Sequence, residues 1–145
     1  MRYSLGILKP DCVRRGLVDQ AFELVRGYGL IVVLTKRMKL EPKDAEFLYS
    51  RCRESHFFES LVEFMTSGEV ILYLVEARNG TCAIKDLNKV TGYTNPADAR
   101  EGTLRSLGKN VRENIAHSTA DATTFWSEAR YFLTEEEISE LKLES

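Results

Sequence analysis

The sequence predicts an α/β sandwich in which helices pack on an antiparallel four-stranded sheet. Short apolar runs typical of strands alternate along the chain with segments whose apolar residues recur at the spacing of a helix. The chain has 145 residues, of which 43% are hydrophobic and 29% are charged, and this size and balance suit a globular chain with a buried core. We therefore expect one domain over residues 1–145.

The first part of the chain contains two predicted strands. Tyr3–Leu8 is a short, mostly apolar run that stops at Lys9-Pro10-Asp11, which predicts a strand followed by a turn. Residues 18–25 have apolar side chains at helical spacing and precede two glycines, so they should form a helix. Leu30–Leu40 begins with β-branched residues and then alternates polar with apolar side chains. That pattern predicts one long strand, half exposed in its second part.

The middle of the chain predicts two helices and a buried strand. Pro42 suits the first turn of a helix, and the apolar residues behind it recur at helical spacing up to Cys52. A second helix, Phe57–Met65, should end near the next glycine. Val70–Val75 is the most continuous apolar run in the chain, which is typical of a central strand buried on both faces.

The last third predicts a short helix at residues 83–90 and a final amphipathic helix at Ala122–Ala129. Residues 91–113 lack clear periodicity, and such a long irregular stretch inside a compact domain is often functional. Asn114–His117 is predicted as a brief last strand. Without the extra helices the order is βαββαβ, which is the ferredoxin-like arrangement. That fold hosts many functions and does not define the chemistry.

Charge and cysteine content restrict the class of protein. The formal net charge is −2, which gives no support to general nucleic-acid binding. Lys85–Arg112 nevertheless carries six basic and three acidic residues, so it is either a solvated basic face or a localised anion site. The three cysteines lack CxxC spacing, and no signal peptide or membrane-length apolar run is seen. We expect reduced thiols, a cytoplasmic location and no membrane partner.

Two polar segments are candidates for binding an anion. Lys9 follows a buried strand end, where its ammonium could meet a phosphate or could be an ordinary lysine before a turn. Thr94–Asp98 and Gly102–Arg105 place hydroxyls, an amide and a guanidinium on loops shaped by glycine and proline. Such groups suit an anion, although a solvated surface loop has a similar composition.

His117 and Glu128 are candidates for catalysis. The chain has two histidines, and His117, at the end of a short predicted strand, could be a nucleophile or a structural residue. His56 is interpreted as local to a helix start. Glu128 lies at the border of the apolar face of the last helix. Its carboxylate could turn inward and accept a proton from an imidazole, or could face water.

Taken together, the order and spacing of these segments resemble the nucleoside diphosphate kinase family over nearly the whole chain. The matching segments are Lys9-Pro10-Asp11, Arg15-Gly16-Leu17, Phe57-Phe58, Met65-Thr66-Ser67-Gly68, Thr94-Asn95-Pro96-Ala97-Asp98, Gly102-Thr103-Leu104-Arg105 and Asn114-Ile115-Ala116-His117. A glutamate eleven residues past the histidine completes the pattern.

The resemblance implies that His117 takes the γ-phosphate of a nucleoside triphosphate and returns it to a nucleoside diphosphate, with ping-pong kinetics. Glu128 would fix the imidazole tautomer. The other implied site residues are Lys9, Tyr49 and Asn114 around the ribose hydroxyl and the transferring phosphate, Thr94 and Arg105 as phosphate binders, and Phe57 and Val111 on the two sides of the base. Mg²⁺ would accompany the nucleotide. The family forms hexamers or tetramers, which implies a homo-oligomer.

The chain departs from the family pattern at a phosphate-binding position. Asn88 stands six residues before Thr94, where the family usually has an arginine. The neighbouring Lys85 and Lys89 could partly replace that charge. We therefore expect transfer to be slower than in typical relatives, and replacing Asn88 by arginine should raise kcat/KM provided that the new side chain points inward.

Further departures surround the histidine. Ser118 replaces the usual glycine or alanine, Thr119 stands where a serine is usual, Ala120 stands where aspartate is common, and Ser106-Leu107-Gly108 replaces Gly-Asp-Phe. These changes bear on the catalytic rate and on the geometry of Mg²⁺. The missing arginine at position 88 favours an alternative in which the protein is a catalytically weakened nucleotide-binding relative acting as an interaction module. A nucleic-acid-binding module on the same fold finds no support, because the sequence lacks the stacking aromatics of an RRM-like motif.

Overall fold

A computed structural model of the chain describes residues 1–78 and 80–140. The strands are β1 (Tyr3–Leu8), β2 (Leu30–Lys39), β3 (Glu69–Ala77) and β4 (Ala116–Ser118). The helices are α1 (Pro10–Arg14), α2 (Val18–Gly27), α3 (Pro42–Leu48), α4 (Phe58–Met65), α5 (Ala83–Thr91), α6 (Ala122–Phe132) and α7 (Glu135–Glu140). Short 3₁₀ turns lie at Ser50–Cys52 and Arg105–Leu107.

The four strands form one antiparallel sheet in the order β2-β3-β1-β4. The central strands β1 and β3 pair along their length, from Tyr3 opposite Glu76 to Leu8 opposite Ile71. Strand β4 pairs only with the end of β1, where His117 lies opposite Ile7. This sheet with its helices confirms the predicted ferredoxin-like fold class.

The core lies on both faces of the sheet. Leu72 and Leu74 of β3 belong to a cluster with residues of α3, α4 and α6. Tyr73 and Val75, which point to the opposite face, belong to a cluster with residues of α1, α2 and α5. Burial on both faces explains why Val70–Val75 is uninterruptedly apolar.

Three local predictions were wrong. Lys9-Pro10-Asp11 leads into the short helix α1 instead of a plain turn, because proline at the first helical position is compatible with a helix start. The helix after Pro42 ends at Leu48 and continues as a 3₁₀ turn up to Cys52. The last strand begins at Ala116 and not at Asn114, because Ile115 has a positive φ of 78° that interrupts an extended strand.

Two further features of the fold bear on the predictions. Helix α7 (Glu135–Glu140) was not predicted, since its sequence is acidic and carries a single large apolar residue, Ile138. Residues 92–115 contain no regular element apart from the 3₁₀ turn at Arg105–Leu107, as their lack of periodicity indicated. The predicted domain of residues 1–145 includes Asn79 and residues 141–145, which lie outside the described residues.

Candidate active site

A cleft of about 560 Å³ opens where the ends of β1 and β4 meet α4 and the long loop between α5 and β4. Of the ten predicted site residues, eight line this cleft; they are Lys9, Tyr49, Phe57, Thr94, Arg105, Val111, Asn114 and His117. Glu128 lies behind His117, and Asn88 is not part of the cleft wall. The fold therefore gathers residues from five separate parts of the chain into one site.

His117 is held by a carboxylate on the side away from the cleft. Its Nε2 lies 3.0 Å from Oε2 of Glu128, and 17% of its side chain is exposed. Because a carboxylate accepts a hydrogen bond, the proton of a neutral imidazole belongs on Nε2, and Nδ1 carries the free lone pair. The ring edge of Tyr49 packs on the imidazole with centroids 5.9 Å apart. This arrangement leaves Nδ1 as the ring nitrogen with a free lone pair.

Glu128 turns inward and is almost fully buried, at 3% exposure. Asp121 caps the start of helix α6: its carboxylate accepts a hydrogen bond from the backbone N–H of Thr124 and so fixes the first turn. The Thr119 hydroxyl donates to the second carboxylate oxygen of Glu128 at 2.6 Å. Threonine therefore serves at the position where the sequence resemblance expects serine.

Lys9 is buried at the end of β1, at 3% exposure. Its Nζ donates to Oδ1 of Asn114 at 2.6 Å, and the amide of Asn114 donates to the backbone oxygen of Thr94 at 2.9 Å. Burial, together with the nearby Arg105 guanidinium, lowers the pKa of Lys9 to about 7, although the Asp11 carboxylate opposes that shift. An anion entering the cleft would restore the charged form of this lysine.

A strained backbone position separates Asn114 from His117. Ile115 adopts a positive φ, which β-branched residues rarely do. Its N–H donates to the buried carboxylate of Asp11 at 3.1 Å, and its carbonyl accepts from the backbone N–H of Lys9 at 2.8 Å. These bonds turn Asn114 into the cleft and leave His117 on β4. This role of Asp11 was not predicted from the sequence, although the Lys9-Pro10-Asp11 segment was identified as one that matches the family.

Arg105 ties the long loop to the sheet. Its guanidinium donates to the carbonyls of Gly92 at 3.1 Å and Ala116 at 3.2 Å. Burial lowers the pKa of Arg105 from its usual value, while the neighbouring Tyr49 and Tyr73 oppose that shift. Gly108 completes the packing: a Cβ there would lie 2.6 Å from the Cα of Asn114. This close approach explains why glycine occupies position 108, within the Ser106-Leu107-Gly108 segment that departs from the family pattern.

Phe57 and Val111 form the outer part of the cleft. Both are large apolar side chains that remain exposed, Phe57 at 46% and Val111 at 57%. Exposed apolar side chains on two walls of a cleft suit a planar aromatic ligand. His56 lies edge-on to Phe57, with centroids 5.5 Å apart, and it too lines the cleft.

Arg112 also lines the cleft, and sequence reasoning noted it only as part of the basic segment. Its guanidinium donates to the hydroxyl of Ser60 on α4 at 2.8 Å and lies over the ring of Phe64. The side chain therefore joins the loop that carries Val111 to the helix that follows Phe57. In the sequence, the position of Arg112 next to Val111 could have indicated that it lies in the cleft.

The lysines near Asn88 do not supply charge to the cleft. Lys85 and Lys89 are exposed on α5, and neither lines the cleft. Asn88 itself is hydrogen-bonded to Ser118 and Thr119. Among the described residues, the lysine and arginine side chains that line the cleft are Lys9, Arg105 and Arg112. The expected compensation by Lys85 or Lys89 is therefore not supported by their positions.

The described residues contain no group of three or more His, Cys, Asp or Glu side chains placed to hold a metal ion. No Asp or Glu is among the described residues that line the cleft. The described lining residues therefore offer no carboxylate ligand to a divalent ion. Within residues 1–78 and 80–140, no helix is long and apolar enough to cross a membrane.

Comparison with known proteins identifies similar chains along almost the full length. The family model for nucleoside diphosphate kinase matches residues 2–138. A nucleoside diphosphate kinase of Chlorobium limicola is 37% identical over 139 residues, 95% of this chain and 97% of that protein. One from Rickettsia prowazekii is 34% identical over 141 residues, 97% and 99% of the two chains.

Solved structures show the same similarity. The crystal structure of nucleoside diphosphate kinase from Encephalitozoon cuniculi superposes with a TM-score of 0.87 at 26% identity and covers 94% of this chain and 91% of that one. The Aquifex aeolicus nucleoside diphosphate kinase superposes with a TM-score of 0.84, also at 26% identity, and covers 94% and 97%.

Proposed function

This chain belongs to the nucleoside diphosphate kinase family, and we propose that it moves the γ-phosphate of a nucleoside triphosphate to a nucleoside diphosphate through a phosphohistidine at His117. The observation that carries this proposal is the 3.0 Å contact between His117 Nε2 and buried Glu128, which leaves Nδ1 for the cleft. Lys9 and Arg105 line the same cleft. The whole chain would act as one nucleoside diphosphate kinase domain.

In the first half-reaction, Nδ1 of His117 attacks the γ-phosphorus. The new N–P bond forms as the bond from the γ-phosphorus to the β–γ bridging oxygen breaks, and the nucleoside diphosphate leaves with that oxygen. Glu128 keeps its hydrogen bond to Nε2–H and stabilises the positive charge that develops on the ring. A second diphosphate then attacks the phosphohistidine by the reverse path. One site thereby serves donor and acceptor in turn.

Lys9 and Arg105 would neutralise the charge on the transferring phosphate, with Thr94 contributing at the phosphates. The Tyr49 hydroxyl is buried without a hydrogen-bond partner among the described residues, and a buried polar group of this kind calls for a ligand or water. Burial raises the pKa of Tyr49, so the hydroxyl stays protonated and can donate to phosphate. Asn114 lies between Lys9 and Thr94, where it can contact the ribose.

Mg²⁺ would enter with the nucleotide substrate and neutralise part of the charge on its phosphates. This agrees with a cleft whose described lining residues include no Asp or Glu. We also propose a homo-oligomer, either a hexamer or a tetramer. Strand β2 is an edge of the sheet, and its apolar residues 31–34 are only partly buried, which leaves a surface for a second copy. Sedimentation analysis distinguishes the two sizes. A cytoplasmic location stays a prediction.

Steady-state kinetics test the mechanism. Initial rates with ATP varied at several fixed concentrations of a diphosphate acceptor should give parallel double-reciprocal lines, since the first product leaves before the acceptor binds. Intersecting lines would instead indicate direct transfer between two bound nucleotides. Absence of turnover with retained ADP binding would favour the weakened nucleotide-binding relative, which the missing arginine at position 88 suggests.

Phe57→Ala should weaken the binding of ADP, GDP and CDP by similar factors. Stacking on an aromatic ring engages the face of any base, and its loss costs about 1–3 kcal/mol per base. Titration calorimetry with the three diphosphates measures the effect. Tyr28→Ala, which removes an aromatic ring that is likewise exposed but does not line the cleft, should leave all three affinities unchanged. A loss confined to one base would show that Phe57 does not act by stacking.

A further inference from the structure

We propose that Asn88 and Ser118 form a positioning pair that fixes the backbone behind His117, and that Asn88 does not bind phosphate. The two residues are hydrogen-bonded to each other: the Ser118 hydroxyl donates to Oδ1 of Asn88 at 2.7 Å. The amide of Asn88 also donates to the backbone oxygen of Thr119 at 3.1 Å. One side chain on α5 thus holds both residues that follow His117. This proposal rests on the proposed function of His117.

The segment held by Asn88 lies where the pairing of β4 with β1 ends. Strand β4 is three residues long, and its pairing with β1 ends at Ser118 opposite Gly6. Beyond that point, the backbone N–H of Thr119 donates to the Leu5 carbonyl at 2.9 Å. The contact from Asn88 to the carbonyl of Thr119 adds a bond on the opposite side of the same residue. Thr119 is therefore fixed between β1 and α5.

Fixing Thr119 in turn positions the catalytic histidine. The Thr119 hydroxyl donates to one oxygen of Glu128 at 2.6 Å, and the other oxygen lies 3.0 Å from Nε2 of His117. A continuous series of hydrogen bonds thus runs from Asn88 through Thr119 and Glu128 to the imidazole. Both residues of the pair are only partly exposed, so these bonds compete less with water than surface bonds do.

The position of Asn88 argues against a phosphate ligand. Its amide is engaged behind β4, and Asn88 is not among the residues that line the cleft. Two of the positions at which the chain departs from the family pattern, 88 and 118, are direct hydrogen-bond partners. The contact therefore accounts for asparagine at 88 and serine at 118 together, as partners in one hydrogen bond. Arg105 and Lys9 would then bind the phosphates.

The proposal predicts a loss of rate without a loss of affinity. In Asn88→Ala and in Ser118→Ala, the rate of phosphohistidine formation from ATP in a single turnover should fall about tenfold or more, because small displacements of reacting groups reduce rates strongly. The dissociation constant for ADP should stay within about twofold of the wild-type value, since neither side chain meets the nucleotide. The double variant should be no slower than the slower single variant.

Three further variants provide a control and two other substitutions at position 88. Gln20→Ala, which removes another amide side chain from a helix surface, should change neither quantity. Asn88→Asp keeps an acceptor for Ser118 but no donor for Thr119, and should fall between wild type and Asn88→Ala. Asn88→Arg should lower kcat/KM, the reverse of the sequence-based expectation, because a guanidinium cannot accept the hydrogen bond that Ser118 donates to Asn88. Circular dichroism confirms that each variant is folded.

The imidazole itself provides a readout that does not depend on turnover. ¹⁵N-resolved NMR spectra of His117 should show the Nε2–H tautomer dominant in the wild type and a mixture in Asn88→Ala. If the wild-type protein forms no phosphohistidine, the proposed function fails while this spectrum still tests the pair. Weaker ADP binding at an unchanged transfer rate in Asn88→Ala, a gain in kcat/KM in Asn88→Arg, or an unchanged His117 spectrum would each overturn the proposal.

Discussion

His117→Ala should abolish phosphoryl transfer while leaving nucleotide binding largely intact. In the proposed mechanism the imidazole supplies the attacking lone pair, and no other described side chain that lines the cleft pairs a ring nitrogen with a buried carboxylate. Binding should survive because, in the proposed site, other residues bind the phosphates and the base, chiefly Lys9, Arg105 and Phe57. Steady-state assays and ADP calorimetry on the same preparation measure the two effects separately.

His56→Ala is the matched control, since the chain has only two histidines. It should still form a phosphoenzyme, because His56 lies beside Phe57, where the base and not the γ-phosphate would bind. If His117→Ala kept more than a trace of turnover, His117 would lose its assigned role. If instead it lost nucleotide binding together with turnover, the imidazole would be a binding contact.

Lys9→Met should reduce kcat/KM by about a hundredfold to a thousandfold, as expected when one group that stabilises transition-state charge is removed from a water-poor site. Methionine has a similar length and no charge, so the cleft keeps its shape. Both kcat and the affinity for triphosphate should fall, because in the proposed mechanism the ammonium binds phosphate in the ground state and in the transition state. An activity within about threefold of wild type would place the neutralising charge elsewhere.

The stability of Lys9→Met relative to the wild type should be greater at neutral pH than at high pH. Burial lowers the pKa of Lys9 from 10.5 to about 7, so the fold disfavours the ammonium and loses stability as the pH falls from 10.5 toward 7. Lys9→Met removes that penalty. The Tm of the variant minus that of the wild type should rise as the pH is lowered from about 10 to about 7 and then stay level. A flat difference would mean that Lys9 titrates normally.

Much of the fold followed from hydrophobic spacing. The order of strands and helices was predictable because β3 is buried on both faces and α2, α4 and α6 each have one apolar face. The start of β4 was not, because the kink at Ile115 depends on a hydrogen bond to Asp11, which is distant in sequence. Helix α7 has too few apolar residues to show helical spacing in the sequence.

The site was predictable in part. The family resemblance named the residues that the fold gathers around the cleft, since their spacing reflects a shared arrangement of elements. The resemblance did not predict the environment of Asn88. Whether this side chain reaches the cleft depends on the direction of α5 and on its hydrogen-bond partner Ser118, which lies thirty residues later in the chain. Arg112 was missed for a related reason: its contact with Ser60 joins two segments that only folding brings together.

The most direct test of the mechanism is detection of the phosphorylated intermediate. The wild-type protein is mixed with ATP labelled at the γ-phosphate, separated from nucleotides and then exposed to unlabelled GDP. We expect label on the protein that is stable to base, labile to acid and absent from His117→Ala, and we expect GDP to recover it as labelled GTP. Turnover without any label on the protein, or label that persists in His117→Ala, would contradict a phosphohistidine at His117.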